Sequence, residues 1–214
     1  MQYILFDLDG TLTNPKLGIT KSIQYALSSK GINVCDLDSL TKYIGPPLRD
    51  TFMEFGFNEV EAEELTWKYR EYYKVTGLYE NEVYDGIEKL LHKLNEDGKK
   101  LYIATSKPEH FAKIILEHFK LDHYFKDICG ATLDDSRSSK EDVIRYALQK
   151  NKIDNLREVV MIGDREHDVE GAKKVGIASI GVLFGYGSRN ELVNSGASTL
   201  AETVDEVYEC IMTL

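Results

Sequence analysis

Four short stretches of this sequence are apolar at nearly every position, and few folds can accommodate that. They are Tyr3-Ile4-Leu5-Phe6, Lys100-Leu101-Tyr102-Ile103-Ala104, Val159-Val160-Met161-Ile162 and Ile177-Ala178-Ser179-Ile180-Gly181-Val182. A strand that is apolar on both faces must be covered on both faces, the condition inside a parallel sheet. Weaker runs of the same kind lie at Asp127 to Cys129 and Ser198 to Leu200. Helical spacing of apolar residues fills the gaps, at 86–97, 108–119, 139–151, 166–175, 188–195 and 203–212. Strand and helix in alternation predict an α/β fold, a doubly wound, Rossmann-like parallel sheet.

The segment 14–84 breaks this rhythm. Ile19, Ile23, Ala26 and Leu27 recur at helical spacing up to Gly31, and a second helical pattern runs from Glu59 to about Val75. No buried strand is legible there. The expected organisation is therefore a core of 1–13 plus 85–214 with an inserted α-helical cap domain at 14–84. Candidate hinges are Thr13-Asn14-Pro15 and Val83-Tyr84-Asp85-Gly86. The insertion holds Trp67, Phe52, Phe55 and Phe57 and many tyrosines, and most of these rings are expected to form its own core.

The net charge of -10, with acidic residues scattered through the chain, argues against a nucleic acid polymer as partner. The three cysteines, Cys35, Cys129 and Cys210, are widely spaced and form neither a disulfide framework nor a metal signature. No signal peptide and no apolar run of membrane length is legible, so a cytoplasmic location without membrane contact is expected.

Chemistry concentrates where the apolar runs end. Asp7 and Asp9 follow the first run; two residues apart on a strand, they face one space while Leu8 turns into the core. Gly10 permits a tight loop, and Thr11 can cap the turn that follows. Taken alone, Asp-x-Asp-Gly is as readily a solvated turn. Thr105 and Ser106 end the run at 100–104, where they either serve a site or cap the helix opening at Pro108. Lys140 stands at the start of a helix, where a lone lysine is usually solvated. Gly163-Asp164-Arg165-Glu166-His167-Asp168 reads as strand end, turn and helix start. Asp164 and Asp168 then face the same space, although Asp168 at a helix N-terminus is also a natural dipole partner. Oxygen-only donors of this kind suit Mg²⁺, and His167 lacks the N or S company a zinc ion needs.

Together these residues resemble the haloacid dehalogenase superfamily, whose phosphatases carry four such motifs in this order: Asp7-Leu8-Asp9-Gly10-Thr11, Thr105, Lys140, and Asp164 with Asp168. The resemblance spans essentially the whole chain. It implies that Asp7 is the nucleophile and Asp9 the general acid/base. Thr105 and Ser106 would hold the transferring phosphoryl group, with Lys140 bridging charge. Mg²⁺ would bind Asp7, the Asp9 carbonyl and Asp164, with Asp168 in support. Family members often have Lys-Pro where this chain has Lys140-Glu141. An insertion between the first two motifs matches the helical-cap subgroup, and Gly45-Pro46-Pro47-Leu48-Arg49 resembles that cap's substrate-facing loop, with Arg49 meeting a substrate anion. The closest likeness is to phosphoglycolate-phosphatase-like proteins, and within them to a 5′-nucleotidase branch, through Gly18-Ile19-Thr20-Lys21-Ser22, Ile44-Gly45-Pro46-Pro47-Leu48 and Gly185-Tyr186-Gly187.

The expected function is thus Mg²⁺-dependent hydrolysis of a small phosphorylated metabolite, a 5′-nucleotide favoured over phosphoglycolate, by a monomer or small homo-oligomer. Sugar phosphomutase chemistry shares the motifs. A dehalogenase would not require Asp9 and Asp164, and the motif does not suggest a phosphonatase. A phospho-accepting signalling module is about half this length and places its aspartate on a later strand.

Overall fold

The computed structural model describes residues 1–134 and 136–214. In chain order it holds β1 (Tyr3–Phe6), β2 (Thr13–Asn14), α1 (Lys16–Ser28), α2 (Leu48–Glu54), α3 (Glu59–Tyr72), β3 (Glu82–Val83) and α4 (Ile87–Glu96). There follow β4 (Lys100–Pro108), α5 (Glu109–His118), β5 (Asp127–Ala131), α6 (Lys140–Lys150) and β6 (Val159–Gly163). The chain closes with α7 (Glu166–Val175), β7 (Ala178–Val182), α8 (Arg189–Ser195), β8 (Thr199–Ala201) and α9 (Val204–Thr213).

Two compact units result, Met1–Asn14 with Val83–Leu214, and Pro15–Glu82. The division falls slightly inside the expected 14–84: Asn14, Val83 and Tyr84 belong to the first unit, with β2 and β3 paired in a small two-stranded sheet. The Tyr84 amide donates to the Leu12 carbonyl at 3.1 Å, which ties the returning chain to the loop after β1.

The first unit is built on a six-stranded sheet of order β5-β4-β1-β6-β7-β8. Each pairing is parallel, with β1 at the centre: Phe6 sits opposite Ile103 on one side and Ile162 on the other. Chain order reverses direction at β1, which makes the sheet doubly wound. Leu5, Tyr102, Ala104, Val159 and Met161 pack under α6 and α7 with Val143, Ile144, Ala147 and Ala172. Helices α4, α5 and α9 also pack against strands of the sheet. Ile4, Leu5, Ile103, Val160 and Met161 are fully buried, as the unalternating runs required.

The second unit is helical. Asn58 and Glu61 form a reciprocal cap that starts α3. Ile23, Leu27, Phe52 and Leu65 are fully buried. Gly18 of α1 lies so close to Gly77 that a Cβ would sit 2.0 Å from the Gly77 carbonyl oxygen, so no larger residue fits there. Trp67 departs from the expected ring core: it is 60% exposed. Arg49 lies in the first turn of α2 and pairs with Glu59 at 2.7 Å. Pro47, with its fixed φ and missing donor, favours a helix start at that point.

Candidate active site

Asp7 follows β1 directly, and its amide still donates to the Ile162 carbonyl at 2.9 Å, so the sheet fixes its backbone. The chain then turns sharply: the amides of Leu12 and Thr13 both donate to the Leu8 carbonyl, at 2.9 and 3.0 Å. Leu8 is fully buried beneath the turn. Gly10 is required twice over. Its φ is +81°, and a Cβ would lie 2.2 Å from an Asp164 carboxylate oxygen. Thr11 does not act as a cap; its hydroxyl is buried with no hydrogen-bond partner among the described residues.

Two buried lysines partition the carboxylates. Lys140 Nζ lies 2.9 Å from Asp7 Oδ1 and 2.7 Å from Asp168 Oδ1, and it donates to the Ala104 carbonyl at 3.1 Å. It is therefore no solvated helix-start lysine. Burial works against its charge, yet Asp168 and Asp7 together raise its pKa above the ordinary lysine value. Lys107 Nζ lies 2.6 Å from Asp9 Oδ2. Burial raises the Asp9 pKa, with Lys107 pulling the other way.

Asp164 is held by its surroundings rather than by a cation. One carboxylate oxygen accepts from the Tyr186 amide at 2.8 Å, while the other is buried without a partner among the described residues. Burial, and then the charges of Asp168 and Asp7, push its pKa well above the carboxylate range. Burial likewise raises Asp168 to about 6, against the pull of Lys140. The second oxygen of Asp168 accepts from the Arg165 amide at 3.1 Å, so this residue closes the start of α7 and anchors Lys140 at once.

Asp7, Asp164 and Asp168 bring ligand atoms within 4.8 Å of one another. With Asp9, four carboxylates share a buried space with only two ammonium groups, Lys140 and Lys107. One buried Asp164 oxygen has no hydrogen-bond partner among the described residues and is free to serve as a ligand. The residues present fit a hard divalent cation with oxygen ligands.

Thr105 is buried within β4, which runs four residues beyond the apolar run. Its hydroxyl accepts from the Lys107 amide at 3.2 Å, and α5 begins at Glu109 with no side-chain cap. Thr105 and Ser106 thus do not cap that helix. The structure brings Asp7, Asp9, Lys140 and Asp168 into one cluster with Asp164, and Lys140 ties the residue before Thr105 to it; Arg49 belongs to the other unit.

Sequence reasoning passed over two features. Lys107 gave no signal of its own, because the strand continues through residues that are not apolar. Gly185, Tyr186 and Gly187 carried only a subgroup likeness, yet they wrap Asp164. A Cβ on Gly185 would lie 2.3 Å from the Gly10 carbonyl oxygen, and one on Gly187 would lie 1.9 Å from that of Asp164. Two glycines flanking an aromatic after a buried strand were the only available signal.

The family described as Haloacid dehalogenase-like hydrolase matches residues 4–182. A Pseudomonas aeruginosa protein named 5′-nucleotidase is 51% identical over 190 residues, covering 88% of this chain and 86% of that one. A Mycobacterium tuberculosis protein named Tyrosine-protein kinase PtkA is 41% identical over 213 residues, 98% of this chain and 72% of its own. A Vibrio parahaemolyticus Phosphoglycolate phosphatase is more distant, 24% identical over 99% of this chain and 96% of its own. The crystal structure of a predicted phosphatase from Clostridium acetobutylicum superposes with a TM-score of 0.95 at 51% identity, covering 100% of this chain and 99% of that one.

Proposed function

The chain belongs to the haloacid dehalogenase-like hydrolase family, and as a phosphatase of that family we propose that it hydrolyses small phosphomonoesters, 5′-nucleotides first among them, through a phosphorylated Asp7. The observation that carries this reading is the Asp7 carboxylate at the tip of the central strand, with Lys140 2.9 Å away, beside Asp164 and Asp168 in a buried acidic cluster.

In the first step an Asp7 oxygen attacks phosphorus and the bond to the leaving oxygen breaks. Protonated Asp9 gives its proton to that oxygen, which departs as an alcohol. In the second step water attacks the phosphorus of the acyl phosphate while Asp9 takes the water's proton. Asp7 is released as a carboxylate, with inorganic phosphate as product. The Lys140 ammonium offsets charge on Asp7 and the phosphoryl oxygens, and the Thr105 hydroxyl and Ser106 orient them. Asp7, the Asp9 carbonyl and Asp164, with Asp168 alongside, would hold Mg²⁺, which would supply further positive charge when bound. The helical unit would act as the cap that selects the leaving group, with Arg49 meeting a substrate anion.

The nucleotide preference is supported by the 51% identical relative; the relative named for phosphoglycolate is only 24% identical. A panel of nucleoside monophosphates, phosphoglycolate and sugar phosphates with Mg²⁺ tests it. The highest kcat/KM is expected on a nucleoside monophosphate. A preference for phosphoglycolate that is lost in Arg49→Ala would overturn the nucleotide reading and leave the phosphatase in place. Product analysis with a sugar phosphate separates hydrolysis from mutase chemistry. A second reading is favoured by the relative named as a tyrosine kinase, in which the phosphoryl group passes to a protein acceptor instead of water. Incubation with γ-labelled ATP decides it: label on tyrosine supports that reading, and label released only as phosphate excludes it.

A further inference from the structure

The buried ion pair between Lys107 and Asp9 has no part in the chemistry described so far. It sits where β4 is irregular. Strand β4 pairs with β5 in register up to Thr105 opposite Gly130; the next partner pair is Pro108 with Ala131, so Ser106 and Lys107 form a bulge. The Lys107 amide turns back to the Thr105 hydroxyl at 3.2 Å. Bulges beside active sites re-aim side chains, and this one requires a specific neighbour. A Cβ on Gly130 would lie 2.6 Å from the Lys107 carbonyl oxygen and from Glu109 Cα.

The re-aimed side chain is only 6% exposed and places Nζ 2.6 Å from Asp9 Oδ2, with the Asp9 side chain 13% exposed. A buried ion pair is weak support for stability, because desolvation offsets most of the attraction. Its effect on geometry is clearer. Lys140 holds Asp7 and Asp168 while Lys107 holds Asp9, so the two aspartates of the first motif have separate anchors. Asp9 is fixed through one oxygen only: Oδ1 is buried with no hydrogen-bond partner among the described residues.

Resting on the phosphatase reading above, we propose that Lys107 is a positioning residue for Asp9, anchoring Oδ2 so that Oδ1 is the oxygen that gives its proton to the leaving group and takes one from water. Lys107 touches neither substrate nor phosphoryl group in this role. Its contribution is orientation, and misplacement of a reacting group by a fraction of a bond length lowers turnover without weakening binding.

The test uses the full-length enzyme with Mg²⁺, 5′-AMP and p-nitrophenyl phosphate, comparing wild type with Lys107→Met, Lys107→Arg, Asp9→Asn and the Asp9→Asn/Lys107→Met pair. Lys107→Met is expected to lower kcat on 5′-AMP roughly 10–100-fold, the range open to an acid/base residue that is present but misplaced, with KM within about twofold. The loss should shrink on p-nitrophenyl phosphate, whose leaving group needs little protonation, and Lys107→Arg should restore part of it. The double variant, which leaves no buried charge unpaired at this pair, should be no slower than Asp9→Asn alone, since Lys107 acts through Asp9. A rise in KM at unchanged kcat would show that Lys107 binds substrate itself. Equal losses on both substrates, or losses that add to those of Asp9→Asn, would reduce it to a structural lysine. Either result overturns the proposal. Absence of wild-type hydrolysis of both esters would instead overturn the phosphatase reading.

Discussion

At the scale of single residues, the two aspartates of the first motif should fail in different ways. Asp7→Asn removes the attacking oxygen and should abolish both turnover and the phosphorylated intermediate. Asp9→Asn keeps the backbone carbonyl and the buried volume but loses the transferable proton, so a loss of about 10²–10⁴-fold is expected. Acid quench with labelled substrate checks both: label on any residue but Asp7 would refute the nucleophile assignment. Asp127 offers a pH prediction away from the site. Its carboxylate accepts from Lys150 at 2.9 Å, Asn151 at 3.0 Å and the Ile128 amide at 2.9 Å. Burial opposes its charge, but these bonds outweigh burial and hold its pKa below the ordinary carboxylate value. A depressed folded-state pKa means stability that is present above the unfolded pKa of about 3.9 and is lost as pH falls through the folded value. Asp127→Asn should therefore melt below wild type at neutral pH, with the two melting temperatures converging below about pH 4. A gap that stays constant across pH would exclude the carboxylate as its source.

At the scale of elements, β4 shows how a strand becomes part of a site. Its apolar part is an ordinary central strand, while its last residues carry Thr105 and Lys107 through a bulge that only a glycine on β5 permits. Gly130→Ala forces a Cβ into the backbone of Lys107 and Glu109. We expect a destabilisation of about 1–3 kcal/mol, the usual cost of overpacking, together with a drop in kcat as Lys107 shifts. A fall in denaturation midpoint without any change in kcat would separate the bulge from catalysis. None of this was legible in advance, because the apolar pattern stops at Ala104 and nothing in Thr-Ser-Lys-Pro distinguishes a bulged strand from a loop. The helices of the first unit, by contrast, were legible to within a residue or two: Gly176 and Gly196 end α7 and α8 with positive φ, and Ser139, Ser188 and Thr203 start α6, α8 and α9 with side-chain caps.

At the scale of the molecule, a chain of net charge -10 keeps four carboxylates and two lysines in one buried space. A divalent cation should relieve that imbalance and stabilise the fold directly. At about 100 times its Kd, Mg²⁺ would add about 2.7 kcal/mol, a rise of roughly 5–10 °C in Tm for a chain of this size. Asp164→Asn, which retains an acceptor for the Tyr186 amide but not the charge, should melt above wild type without metal and gain little from Mg²⁺. A full Mg²⁺ shift in that variant would remove Asp164 from the ligand set. The sheet, its flanking helices, the helical insertion and the candidate residues at the strand ends could all be read from the amino-acid order alone. Those follow from local periodicity and from residue types whose chemistry has few uses at strand ends. Which charge meets which came from the folded chain: Lys140 on Asp7 and Asp168, Lys107 on Asp9, and glycines 10, 185 and 187 closing on Asp164. The contacts of Lys140 with Asp7, Lys107 with Asp9 and Gly10 with Asp164 join residues about a hundred or more positions apart, and their distances depend on sheet register and on one bulge, which no local pattern encodes.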